Sequence, residues 1–107
     1  MKLILAIVNN DDAHSVNNGL SNAGFIVTKI SSTGGFLMSG NSTFLIGVED
    51  GEVERATEII AKHSKKREQT VPFHVAGAHL GGHVPTGKVT VGGATVFVLH
   101  VEDCKHL

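Results

Sequence analysis

The 107 residues predict an α+β fold, a ferredoxin-like βαββαβ sandwich in a single domain. Three observations carry this prediction. Short apolar runs alternate with helical patterns in the order strand–helix–strand, and the order occurs twice. The two halves are weakly alike: "AIVNNDD" and "IGVEDGE" are each a strand end followed by acidic residues, offset by 40 positions. The last apolar run alternates, with Phe97, Leu99 and Val101 on one face and Val96 and Val98 on the other. One layer of helices covers one sheet face. The other face is therefore expected to pack on neighbouring subunits.

The elements follow in order. "LILAIV" (3–8) is a continuous apolar run of strand length. Residues 12–23 read as a helix, with Asp11 or Asp12 as N-cap, Ala13, Val16, Leu20 and Ala23 on one face, and Gly24 as the stop. "FIVTKI" (25–30) and "TFLIGV" (43–48) are β-rich and frame a glycine-rich loop over 31–42. Residues 51–64 form the second helix, with Val53, Ala56, Ile60 and His63 on one side. A long His-rich connector over 65–87 holds both prolines. "KVTVGGATVFVLHV" is the final strand, interrupted at Gly92-Gly93, where two glycines suggest a bulge or a close backbone approach.

Composition excludes several functions. A net charge of -1 leaves no electrostatic footprint for nucleic acid and no general attraction to an anionic membrane. The apolar run 3–8 is too short for a secretory signal, and Asp11 and Asp12 follow where a cleavage site would stand. No segment reaches the roughly 20 apolar residues of a membrane span. One cysteine, Cys104, excludes an internal disulfide framework. The chain is thus expected to be cytoplasmic.

Four motifs are more specific: "TGGFL" (33–37), "GNSTF" (40–44), "REQ" (67–69) and "VGGATVFVL" (91–99). In this order and spacing, over essentially the whole chain, they resemble the PII-like cyclic di-AMP receptors of the PstA type. The resemblance implies a single PII-like domain over 1–107, a cytoplasmic homotrimer, and three ligand sites at the subunit clefts. It implies a second messenger receptor that signals to a downstream protein without catalysis. Carried over position by position, it implies that Thr28 contacts the nucleotide. Gly35, Phe36 and Leu37 wrap it, Asn41 reads an adenine edge, and Gly47 allows close backbone approach. Gly92, Gly93 and Phe97 lie near the cleft. Two positions depart from the pattern: Ile26 stands where members carry arginine, and His106 where glutamine is familiar.

The residue chemistry suits that ligand, which carries two phosphodiester charges and two adenines. Gly34 and Gly35 permit a nest of backbone N–H groups for an anion. Phe36 offers a π-face, worth about 1–3 kcal/mol when a base stacks on it. The Asn41 amide can donate to and accept from one adenine edge, and Thr28 adds a hydroxyl. The bland readings are a flexible hairpin for the loop, a core residue for Phe36, a turn residue for Asn41 and packing space for Gly47. Two rival functions keep the fold: a sensor of ATP, ADP or AMP, and a divalent-metal-binding trimer resembling the copper-tolerance group. The metal reading draws on His74, His79 and His83 and on His100, Cys104 and His106, none at an established ligand spacing. No cofactor is implied. No Walker motif and no Ser–His–Asp or Cys–His set stands at an informative spacing, so an enzyme is not expected.

Overall fold

The computed structural model describes residues 1–30, 40–72 and 86–107, with only the backbone described at 69–72 and 86–89. Along the chain run strand β1 (Lys2–Asn9), helix α1 (Asn10–Asn22), β2 (Val27–Ile30), β3 (Asn41–Val48), a 3-10 turn (Asp50–Glu52) and α2 (Val53–His63). Then follow β4 (Arg67–Pro72), β5 (Thr86–Val91) and β6 (Ala94–His100). Four strands form one antiparallel sheet in the order β2-β3-β1-β6, and β4 pairs with β5 in a separate two-stranded sheet.

Apolar alternation decides which sheet face the helices cover. Ile4, Ala6 and Val8 of β1 and Phe44, Ile46 and Val48 of β3 share one face, packed against Ala13, Val16 and Leu20 of α1 and Ala56 and Ile60 of α2. Phe25, Val27, Val53, Ile59 and Val96 close the rim of this core. The helices thus bury the apolar faces expected of them. The opposite sheet face carries Leu3, Leu5 and Ile7 of β1, Leu45 of β3, and Phe97 and Leu99 of β6. Phe97 and Leu99 are each 45% exposed. Among the described residues no helix lies over this face, in line with the alternation of the last strand.

The start of α1 differs from the expectation. Asn9, not Asp11 or Asp12, is the N-cap, and its side-chain oxygen accepts a hydrogen bond from the Asp11 N–H at 2.9 Å. Strand β1 runs without a break to Asn9, so the cap position falls on the last strand residue. Asp11 still sits in the first turn, where a carboxylate meets the positive end of the helix. Substituting Asn9→Ala should cost about 1 kcal/mol of stability, read from a urea unfolding curve with unchanged slope. Gly19 has its own cause: a Cβ there would stand 2.7 Å from the His63 ring, which lies against α1 at that point. Gly24 ends the helix with φ 94°, which glycine adopts freely.

Three further expectations need correction. The connector over 65–87 is not all loop, because residues 67–72 and 86–91 pair as an antiparallel hairpin from Arg67↔Val91 to Pro72↔Thr86. Likewise, Gly92-Gly93 interrupts the strand and lies close to the Lys65 backbone, as expected, but is not a bulge inside one strand. It is the corner at which the chain leaves the hairpin for the main sheet, with φ 84° and 79°. The loop over 31–42 also ends earlier than expected: Asn41 and Ser42 already belong to β3.

Candidate functional site

At the corner made by the two glycines the hairpin is fixed to the body of the fold. The Gly93 N–H donates to the Ser64 carbonyl at the end of α2. Arg67, first residue of β4, spans the gap to α1. Its Nη2 lies 3.1 Å from Asp12 Oδ1 and its Nη1 3.3 Å from Asp12 Oδ2, and Nη1 also donates to the Lys65 carbonyl at 3.2 Å. This planar two-point pairing suits guanidinium geometry. The pair joins residues 55 positions apart in the chain. Gly92 fits only as glycine, since a Cβ would collide with the Lys65 carbonyl and stand 2.8 Å from Arg67 Nη1.

Beside this corner opens a groove of about 400 Å³, walled by Ile7 and Asn9 of β1, Asn41 of β3, Lys66, Gly92 and Gly93, and Thr95 of β6. Register explains the meeting: Asn9 pairs with Asn41, and Val8 with Ala94, so the ends of β1, β3 and β6 come together. Ser42 Oγ donates to Asn10 Oδ1 at 2.5 Å, and the Asn10 N–H to the Gly40 carbonyl at 2.7 Å. These bonds hold the start of β3 against the start of α1, and so set the position of Asn41.

The expected site residues divide by place. Asn41, Gly92 and Gly93 line the groove together. Thr28 is exposed on β2, in the cross-strand row Thr28–Leu45–Leu5–Phe97. Thr28 and Phe97 thus lie at opposite edges of the sheet, three strand spacings or about 14 Å apart. Gly47 is exposed on the uncovered face, and a Cβ there would meet nothing within 4 Å, so packing inside one copy does not require glycine. Gly35, Phe36 and Leu37 lie outside the described residues. Thr43, on the sheet face opposite the helices, is 3% exposed, and its hydroxyl has no hydrogen-bond partner among the described residues.

Two features had no local signal in the sequence. One is the Arg67–Asp12 pair, whose partners are far apart in the chain. The other is Ser15 Oγ at 2.8 Å from His63 Nδ1, in a groove between α1 and α2. No carboxylate orients that imidazole among the described residues, so the pair lacks the third member of a hydrolytic triad. His74, His79 and His83 lie outside the described residues. Among the described residues no three His, Cys, Asp or Glu side chains converge to hold a metal. No helix among them is long and apolar enough to cross a membrane.

Comparison with known proteins adds two findings. A family model described as "Cyclic-di-AMP receptor" matches residues 1–107. The chain is similar to a protein of unknown function from Pediococcus pentosaceus, known from its crystal structure. The two are 40% identical, with a TM-score of 0.74 over 99% of this chain and 96% of that one.

Proposed function

The chain belongs to the cyclic-di-AMP receptor family, and on that premise we propose that it is a PII-like cytoplasmic signalling protein. It binds cyclic di-AMP between the subunits of a homotrimer. Binding changes the conformation of the 31–42 loop and the 65–87 segment, and so alters the surface offered to a downstream protein. Family membership supports a binding protein rather than an enzyme. The strand order β2-β3-β1-β6, with both helices on one face, is the order expected of a ferredoxin-like domain.

One observation carries the intersubunit reading. Thr28 and Phe97 sit on the two edge strands of the sheet, and on the same face Leu99 is exposed in a single copy. Closing copies into a ring by a head-to-tail contact sets the β6 edge of one against the β2 edge of the next. That brings Phe97, Gly92 and Gly93 of one copy towards Thr28 and Gly47 of its neighbour, and covers Leu3, Leu5 and Leu99. Gly35, Phe36 and Leu37 then close over the ligand from the loop between β2 and β3.

Calorimetric titration tests the proposal. Cyclic di-AMP should bind with heat at micromolar concentrations, undisturbed by excess ATP, ADP or AMP. Displacement by those nucleotides would instead favour the adenine-nucleotide sensor, and absence of heat would end the reading. Asn41→Ala should weaken binding roughly tenfold to a hundredfold, since one two-point base contact is worth about 1–3 kcal/mol. Its urea midpoint should stay unchanged, because Asn41 is exposed.

A further inference from the structure

Lys66 is the one charged side chain among the described residues that wall the groove beside Asn41. Its stem does not stand free in solvent. A Cβ on Gly93 would lie 3.0 Å from Lys66 Cγ, 3.1 Å from Cε and 3.7 Å from Cδ, so the methylene chain runs along the bare glycine backbone. Lysine otherwise loses much rotamer freedom when its ammonium is fixed on a partner. Here part of that ordering is already met by the contact with Gly93. No carboxylate walls the groove, and the nearby Asp12 is engaged by Arg67. Among the described residues no acidic side chain pairs with Lys66. The arrangement is a lysine stem laid along a glycine, its ammonium without an acidic partner among the described residues, at a groove whose other polar side chains are amides and hydroxyls.

Resting on the proposed reading of this groove, we infer that Lys66 is an anion-recognition residue: its ammonium pairs with one phosphodiester of the bound cyclic dinucleotide. Gly93 then has two roles. Its positive φ turns the chain into β6, and its missing side chain makes the shelf on which the lysine stem lies. The glycine is needed for the cation beside it as much as for its own backbone.

The test is calorimetric titration of cyclic di-AMP into the wild-type protein and its Lys66→Met, Lys66→Arg and Lys65→Met variants, at low and high salt. Methionine keeps an apolar stem along Gly93 and removes the charge. Lys66→Met should bind about tenfold more weakly at low salt, the usual scale for one charge-assisted hydrogen bond. The loss should shrink as salt is added, because the missing attraction is electrostatic. Lys66→Arg should restore binding, and Lys65→Met, outside the groove wall, should match wild type. Equal affinity and equal salt dependence for Lys66→Met and wild type would overturn the inference. So would a fall in melting temperature without a change in binding, which would assign Lys66 to the C-terminal end of α2. If the wild type itself takes up no cyclic di-AMP, the functional reading fails first, and that outcome is distinct from either of these.

Discussion

Leu99→Glu should dissociate the assembled protein and reduce cyclic di-AMP binding by more than a hundredfold. Leu99 lies on the edge strand β6, on the sheet face opposite α1 and α2, across from Leu3 in the register. It is 45% exposed in a single copy, so a glutamate there stays hydrated and the separate chain still folds. In the assembly the same carboxylate would be buried against apolar side chains of a neighbour. An unpaired charge in such a place costs several kcal/mol. The effect therefore falls on association and spares the fold. Sedimentation should report single copies with a wild-type circular dichroism spectrum, and titration should report the lost binding. An assembled Leu99→Glu protein would show that this face is not the interface. A dissociated one that still binds fully would place the site within one copy.

The second large effect concerns the latch between the hairpin and α1. Arg67→Met should destabilise the fold by about 2–4 kcal/mol, because it strands a carboxylate that the helix buries. The Asp12 side chain is 10% exposed and that of Arg67 45%, so the cost falls on the acid and not on the lost cation. Adding Asp12→Asn to Arg67→Met should recover part of the stability, since the neutral amide has less solvation to lose. Such a recovery in a double-mutant cycle separates the pair from mere loss of packing. A change within about 0.5 kcal/mol for the single variant would place the pair among weak exposed contacts. Because Arg67 also bonds the Lys65 carbonyl, the same variant loosens the segment that carries Lys66. Binding should therefore weaken even at temperatures where the variant remains folded.

The sheet and the helices were legible because their signals are local. "LILAIV" and "TFLIGV" are unbroken apolar runs, and they become the two central strands, β1 and β3. The alternation in 96–101 announced a second apolar face, and Phe97 and Leu99 lie on the face opposite α1 and α2. The hairpin was not legible for the converse reason. "REQTVP" and "TGKVTV" pair with each other in a two-stranded sheet apart from the main one, and neither is an unbroken apolar run. Gly92-Gly93 misled because β-rich residues continue on both sides, while the two positive φ values turn the chain into a different sheet.

The candidate site was legible in part. Asn41, Gly92 and Gly93 meet at one groove although 51 positions separate the first from the second. Register does this, through the pairing of β1 with both β3 and β6. Thr28 and Gly47 lie away from that groove, and only the proposed contact between copies would reunite them with it. Asp12 looked like a helix cap because an acid at a helix start usually is one. Its role as the partner of Arg67 depends on where β4 begins, which no local pattern encodes.

Native mass spectrometry of the purified protein with cyclic di-AMP addresses the shared-site claim most directly, because it counts chains and ligands in the same ion. The expected species contains three chains and up to three cyclic dinucleotides, with no ligand on single chains. Cyclic di-AMP retained by single chains, or ligand-free trimers beside excess cyclic di-AMP, would contradict a pocket built between copies.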